Sequence, residues 1–185
     1  DSLRHKSPKA MTLERLRVSR EVWEQCPDLP QPLQLGRVLR GLLERIETPV
    51  AAHDLLLGRI REDVPDEAGE AYFRETLQAM GSRPPCMTDG GHETLDWERL
   101  LRLGLPGLCE AATQRLNECQ AEQREFLQGM VDVALAFQTY AARYAQAARD
   151  AGLSEAAGVV DALASRAPES FREALRMGTE IYHAL

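Results

Sequence analysis

The chain has 185 residues, of which 44% are apolar and 28% charged, so it is long enough to bury the core of one globular domain. Its 22 basic and 29 acidic side chains leave a net charge of −7, which gives the surface no general attraction for nucleic acid or anionic lipid. No apolar run reaches the ~20 residues of a membrane helix, and the first ten residues lack a signal-peptide core. We therefore expect a cytoplasmic protein that binds neither nucleic acid nor a membrane.

The first half of the chain predicts three helices. Residues 10–25 carry a loose helical pattern that ends at a proline-rich stretch, because proline cannot continue a helix. Residues 33–47 have a clearer apolar stripe, and residues 66–80 form the third helical segment. Residues 50–58 fit either a short buried strand or a tight connector. Residues 1–9 are expected to be disordered.

The next stretch predicts two helices in close succession. Residues 96–103 form a brief helix with acidic residues in its first turn, where they suit the helix dipole. Gly104, Pro106 and Gly107 then interrupt the pattern, and a second helix runs on to about Cys119.

The clearest helix covers residues 121–151. Its apolar residues recur at three- and four-residue steps and so share one face: Phe126, Met130, Ala134, Phe137, Ala141, Tyr144 and Ala148. A shorter helix follows over residues 153–165, and Pro168 is predicted to be the first residue of the last helix. The prediction is one mainly α-helical, multi-helix domain over residues 1–185, with at most a few short strands.

Cysteines and histidines are too scattered to form a recognisable metal or disulfide pattern. The four cysteines are Cys26, Cys86, Cys109 and Cys119, and the four histidines are His5, His53, His92 and His183. No C-x-x-C pair occurs, and no histidine lies at a ligand-like distance from a cysteine. We predict reduced thiols and no bound metal.

Four segments resemble, in order and spacing, one enzyme family. Residues 45–58 (RIETPVAAHDLLLG) are similar to a "helix, short linker, E/D-L-I-V-G" element, and residues 91–108 (GHETLDWERLLRLGLPGL) to "G-H-x-x-P-D-Y, then L-x-x-G-L-x-G-I". Residues 140–148 resemble an "R-Y-A-x-L-A" helix, and residues 168–175 resemble "P-A-x-T-F-x-E-A-L-Q". Together they resemble the N-terminal helical part of glycyl-radical enzymes of the pyruvate formate-lyase type, over roughly residues 35–185.

Two departures from the family pattern bear on the substrate. Leu95 stands where the family has proline, and Trp97 stands where it has tyrosine. In choline-cleaving members, a tyrosine and an aspartate eight residues apart hold the ammonium group. The positions that match them here are Leu127 and Leu135, which disfavours choline.

The resemblance implies a larger parent enzyme with a ten-stranded barrel, around which these helices pack. That parent would be a lyase or dehydratase, or a formate C-acetyltransferase-like enzyme, that works anaerobically. Its protein glycyl radical would be installed by a radical S-adenosylmethionine activase. The radical-bearing glycine loop and the thiyl cysteine are not found in this sequence, so we predict no catalytic residue, no bound cofactor and no activity for this chain alone.

Partners follow from the same resemblance. The expected partner is the remainder of the parent barrel. Self-association is expected if the barrel-facing apolar surface is left uncovered, and its predicted sources are the alanine-rich stripe with Phe137 and Tyr144, together with Phe171, Leu175 and Ile181.

His92 and Asp96 are the predicted substrate-binding residues. In some dehydratases of the family a histidine from this segment faces the substrate, and histidine suits proton transfer near neutral pH. His92 could instead pack on Trp97, and Asp96 could orient His92 or cap the following helix. Arg143 and Tyr144 could reach a ligand cavity, or be a surface and a core residue.

An alternative function is a stand-alone helical interaction protein that binds through an exposed apolar patch. The length of the gene beyond residue 185 discriminates between the two.

Overall fold

The computed structural model describes residues 8–52, 57, 66–80 and 95–184. Within these ranges the chain forms seven helices and no strand, which confirms the predicted mainly α-helical fold. In chain order they are α1 (Pro8–Gln25), α2 (Gln31–Arg45), α3 (Glu67–Met80), α4 (Trp97–Glu118), α5 (Ala121–Asp150), α6 (Ser154–Ser165) and α7 (Phe171–Ala184).

The start of the chain differs in part from the prediction. Helix α1 begins at Pro8, so residues 8 and 9 are helical rather than disordered. Proline is well tolerated in the first turn of a helix, where its missing N–H has no intrahelical partner to lose. Residues 1–7 lie outside the described part of the chain.

The turn between α1 and α2 is held by one buried amide. The side-chain nitrogen of Gln34 donates to the carbonyl oxygens of Cys26 at 2.9 Å and Pro27 at 3.1 Å. These bonds supply donors to carbonyls that the end of α1 leaves without helical partners. The chain therefore reverses tightly, and α1 packs beside α2.

Helix α5 is the centre of the domain and packs against α2, α4 and α6. Its C-terminal half is buried through Tyr140, Ala141, Tyr144, Ala145 and Ala148. These residues join one large apolar cluster with residues of the neighbouring helices, among them Leu16, Leu42 and Val160. Small alanines on this face allow the neighbouring helices to approach closely. A second, smaller cluster contains Leu100, Leu163, Met177 and Ile181.

Helices α2 and α5 touch backbone to backbone at a pair of glycines. A Cβ atom added to Gly36 would lie 2.7 Å from the Cα atom of Gly129, and one added to Gly129 would lie 2.8 Å from the carbonyl oxygen of Pro32. No real Cβ atom fits at such distances, so glycine is required on both helices at this crossing.

Helix α4 is two helical segments joined by a kink, as the sequence predicted. Gly104 has φ 63° and ψ −177°, a conformation that essentially only glycine adopts. A Cβ atom there would also lie 2.7 Å from the Cα atom of Ala167. Pro106 then lies near the start of the second segment, where its missing N–H costs little.

The start of α7 corrects the prediction for Pro168. Proline suits the first position of a helix, but the helix begins three residues later, at Phe171. Ser170 is the better cap, since its hydroxyl oxygen accepts from the Glu173 N–H at 3.2 Å. The Glu173 carboxylate in turn accepts from the Glu169 N–H at 2.6 Å, which resembles a capping box shifted by one residue.

Arg166 makes a bidentate ion pair with the same carboxylate. Its two terminal nitrogens donate to the two carboxylate oxygens of Glu173 at 3.0 and 2.8 Å. The hydrogen bonds from Arg166, reinforced by that from the Glu169 N–H, lower the pKa of Glu173 to about 2. The loop between α6 and α7 is thereby tied to the first turn of α7.

The predicted strand or connector at residues 50–58 is only partly described. Residues 50–52 and Leu57 are neither helix nor strand, and residues 53–56 and 58 lie outside the described ranges. No described helix is long and apolar enough to cross a membrane.

Candidate functional site

An apolar groove runs along α5 between α2 and α4. Helix α5 forms its floor, α2 and α4 form its two walls, and its volume is about 810 Å³. The large side chains that line it are Leu35, Leu39, Leu95, Leu100, Leu105, Leu108, Phe126, Leu127, Met130, Val133, Phe137 and Ile181. Its volume falls within the range of ligand pockets, about 300–1,000 Å³, and its lining is mostly apolar.

The rim of the groove carries large apolar side chains that face solvent. Phe126 is 58% exposed, Met130 is 47% exposed and Leu35 is 44% exposed. Phe126 and Met130 belong to the predicted apolar stripe of α5, but only the C-terminal half of that stripe is buried against other helices. The N-terminal half forms the groove.

The predicted source of the uncovered apolar surface is therefore wrong in part. Tyr144 is 1% exposed and Ile181 is 6% exposed, because both are covered by neighbouring helices. Phe171 and Leu175 are exposed at 83% and 46%, as expected. Phe137 is partly buried and lines the groove.

Three charged residues of α4 and its start lie along the groove: Asp96, Arg99 and Arg115. Arg99 and Arg115 are both exposed, and neither guanidinium forms an ion pair with another described residue. They lie 16 residues apart, near opposite ends of α4, so they flank an apolar channel rather than form one cationic site.

Asp96 caps α4. Its carboxylate oxygen accepts from the Arg99 N–H at 3.1 Å, and the side chain is exposed at one end of the groove. This geometry is that of an N-cap, which was one of the two roles considered from the sequence. Its role in substrate binding remains a prediction.

His92 lies outside the described residues, as does the whole of residues 81–94. The description resumes at Leu95, which lines the groove beside Asp96. His92 therefore precedes Leu95, which lies at this end of the groove, by three positions in sequence.

Arg143 and Tyr144 do not face the groove. The Arg143 guanidinium donates to the carbonyl oxygens of Leu43 at 2.8 Å and Ile46 at 2.6 Å, so it caps the C-terminus of α2. Tyr144 is a core residue, with its ring edge-on to Tyr140 at 5.1 Å between centroids. The core role considered for Tyr144 is the observed one, whereas Arg143 is half-buried and bonds backbone carbonyls rather than standing as a surface residue.

Two buried charges were not predicted. Arg176 is 1% exposed; its guanidinium lies 5.1 Å from the ring centroid of Tyr144 and donates to the Leu57 carbonyl. Asp132 is 5% exposed and lies 3.6 Å from Arg37 and 3.9 Å from Arg40. Both tie parts of the fold together, and neither lines the groove.

The three described cysteines are buried or half-buried within the fold. Cys109 is buried in α4, the Cys119 thiol donates to the Leu116 carbonyl at 3.0 Å, and Cys26 is half-buried in the α1–α2 turn. Among the described residues no group of three or more metal-ligating side chains occurs.

The family is decided by a match over residues 58–185 to the model of the pyruvate formate lyase-like proteins, which covers more than half of the chain. The chain belongs to the pyruvate formate lyase-like family. The match contains three of the four segments on which the resemblance was based, and it includes the predicted site residues His92 and Asp96. No curated protein matches the chain by sequence.

Solved structures share the fold. The glycerol-bound B12-independent glycerol dehydratase from Clostridium butyricum superposes with a TM-score of 0.79 at 18% identity, over 95% of this chain and 33% of that one. A glycyl radical enzyme from Archaeoglobus fulgidus gives a TM-score of 0.71 at 18% identity, over 93% of this chain and 31% of that one. A Roseburia inulinivorans protein studied for 1,2-propanediol dehydration gives 0.72 at 19% identity, over 92% and 31%.

The chain thus spans about a third of the length of the structures that it resembles. At this level of identity the likeness establishes the fold of a pyruvate formate lyase-like helical region. Of the two leucines from which the sequence disfavours choline, Leu127 lines the groove and Leu135 is exposed.

Proposed function

We propose that this chain is the N-terminal helical part of a glycyl-radical dehydratase, and that it supplies structure and a substrate-facing segment rather than the radical centre. The observation that carries the proposal is the superposition on glycerol dehydratase over 95% of this chain but only 33% of that enzyme. The family match over residues 58–185 supports it.

The proposed parent removes water from a small diol. Glycerol and 1,2-propanediol are named for two of the three similar structures, and a diol that loses water gives an aldehyde. A dehydratase is favoured over a formate C-acetyltransferase-like enzyme on this ground, and the apolar Leu127 and Leu135 disfavour a choline substrate. We expect the parent to act in the cytoplasm of anaerobically growing cells, because oxygen destroys a glycyl radical.

The radical chemistry is assigned to the rest of the parent. A glycyl radical, installed by a radical S-adenosylmethionine activase, would supply hydrogen abstraction through a thiyl cysteine. Several described residues of these types have structural roles instead: Gly36 and Gly129 pack helix against helix, Gly104 forms a kink, and Cys109 is buried in α4. We therefore derive no radical step from this chain.

His92 is proposed to face the substrate in the parent, and Asp96 to orient it. A histidine can take up or release a proton near neutral pH, and a carboxylate beside it fixes which nitrogen carries the proton. The family match includes this segment, and Asp96 has an exposed carboxylate at the end of the groove.

The proposal is tested on the full-length polypeptide and on the isolated chain in parallel. After anaerobic treatment with an activase and S-adenosylmethionine, the full-length protein should give a glycyl-radical doublet by electron paramagnetic resonance and convert glycerol or 1,2-propanediol to an aldehyde. The isolated chain should give neither. A doublet from the isolated chain, or a full-length protein without a radical, would contradict the proposal.

Two variants separate the roles of Asp96. Asp96→Asn keeps an N-cap but removes the charge, whereas Asp96→Ala removes both and should cost about 1 kcal/mol of stability. If Asp96 orients His92, Asp96→Asn lowers kcat of the full-length enzyme at unchanged stability. His92→Asn should lower kcat further, while the control His5→Asn, outside the family match, should not. If Asp96→Asn is as active as the wild type, Asp96 acts only as the N-cap of α4.

The alternative of a stand-alone interaction protein is less well supported, because the fold similarity reaches over nearly the whole chain to much longer proteins. A stop codon directly after residue 185 would favour it.

A further inference from the structure

The groove has the shape and chemistry of a seat for a helix. Its walls and floor are helices α2, α4 and α5, whose backbone N–H and C=O groups are already paired within each helix. An extended segment placed there would find no backbone partners, and burying unpaired backbone groups is costly. A helix satisfies its own backbone and offers only side chains to the groove.

The exposed rim also favours a helix over a small ligand. Leu35, Phe126 and Met130 stand at 44–58% exposure along the edges, where a compact molecule on the groove floor would leave them uncovered. From Phe126 to Phe137 the floor extends 11 residues along α5, or about 17 Å. A helix of about three turns would cover this length.

The charges indicate which kind of helix fits. Arg99 and Arg115 flank the groove, are exposed, and have no ion-pair partner among the residues that the structure describes, whereas the carboxylate of Asp96, the third charged residue of the lining, already accepts a backbone bond at the start of α4. A helix with an apolar face and acidic residues towards its ends would pair with both while its apolar face covers the leucines and Phe126.

The position of α7 indicates where the helix comes from. Ile181, in the last turn of α7 whose side chain is described, lines the groove, so the C-terminal end of α7 lies beside it. The similar structures have about two thirds of their length outside the part that this chain matches. A segment of that remainder is thus available at the site at high effective concentration.

We infer that the groove between α2 and α4 receives an amphipathic helix, apolar on one face and acidic towards its ends, from the part of the parent enzyme that follows α7. This inference rests on the proposed function, and it deepens it by assigning the contact between the helical region and the rest of the enzyme. Without the helix, Phe126 and Met130 remain in water.

A photocrosslink in the full-length protein tests the inference. A p-benzoylphenylalanine residue replaces Met130 on the rim of the groove, and the matched control places it at Ala142, an exposed residue of α5 that does not line the groove. After irradiation, mass spectrometry should find the residue-130 probe joined to a peptide that follows residue 185, with apolar residues three and four apart and flanking Asp or Glu. The control should yield no such peptide.

Several outcomes would overturn the inference: a crosslink from position 130 into residues 1–185, a crosslink to a second copy, a crosslink to a small molecule, or a gene that ends at residue 185. The radical signal of the same full-length protein is recorded in parallel. If the radical forms but the expected crosslink does not, only the inference about the groove is contradicted. If the expected crosslink forms but the radical does not, only the proposed enzyme function is contradicted.

Discussion

Glu173, in the first turn of α7, accepts hydrogen bonds from the loop between α6 and α7. It accepts from two nitrogens of Arg166 and from the Glu169 N–H, and these bonds lower its pKa to about 2. In the unfolded chain the carboxyl returns to an ordinary pKa near 4.5. The folded state therefore gains from this group above pH 4.5 and loses that gain as the pH falls towards 2.

Replacing Glu173 by Gln should remove this pH-dependent stabilisation. At pH 7 we expect Glu173→Gln to lower the free energy of unfolding by about 1.5–3 kcal/mol, as for hydrogen bonds to a charged group. The difference from wild type should shrink between pH 4.5 and pH 2, as measured by urea unfolding. Glu125→Gln, an exposed position on α5, is the control and should change little. A difference that is the same at pH 7 and pH 2.5 would contradict the assignment.

Arg176 and Asp132 show what sequence cannot supply at the scale of single residues. Both are charged residues in helices, and charged residues are almost never fully buried, so the default reading of each is a solvated face. Their burial depends on partners far away in sequence, namely Leu57 and Tyr144 for Arg176, and Arg37 and Arg40 for Asp132. Only the tertiary fold brings these partners together.

The contact between α2 and α5 depends on the absence of two side chains. We expect Gly36→Ala to destabilise the fold by about 1–3 kcal/mol, because its Cβ would meet the Gly129 backbone and the helices must move apart. Gly158→Ala is the matched control, since Gly158 is an exposed position of α6 and its Cβ would meet nothing within 4 Å. It should stabilise by up to about 1 kcal/mol through helix propensity. Chemical denaturation measures both, and equal effects would exclude a tight crossing.

The helices themselves were well predicted, because their apolar periodicity and their proline and glycine breaks are local features. The kink at Gly104 was predicted for this reason, and α5 ends within one residue of its predicted bounds. The start of α7 was missed, because capping by Ser170 and Glu173 outweighs the preference of Pro168 for a first turn. Periodicity also gives the direction of an apolar face but not its partner, so the exposure of Phe126 and Met130 did not follow from the sequence.

At the scale of the whole molecule, the uncovered groove predicts association of the isolated chain. Removing apolar surface from water stabilises a complex by ~25 cal/mol per Å². We therefore expect two chains to pair at high concentration and so shield Leu35, Phe126 and Met130 from water. Met130→Lys should shift the population towards monomer, because pairing would bury its charge. Sedimentation velocity measures both.

Ala142→Lys places the same charge at an exposed position of α5 that does not line the groove, and it serves as the control for this experiment. It should associate like the wild type. A wild-type chain that stays monomeric at high concentration, or an equal effect of the two lysines, would show that the groove does not drive association.

The two tryptophans give the protein a pair of built-in fluorescent reporters. Trp23 is 5% exposed within the large core cluster, whereas Trp97 is 37% exposed at the start of α4, where its ring packs against Gly178 of α7. A water-soluble quencher such as acrylamide should therefore reach the red-shifted emission of Trp97 and spare the blue-shifted emission of Trp23. With each tryptophan replaced by phenylalanine in turn, the remaining emission would follow the loosening of one end of the domain independently of the other.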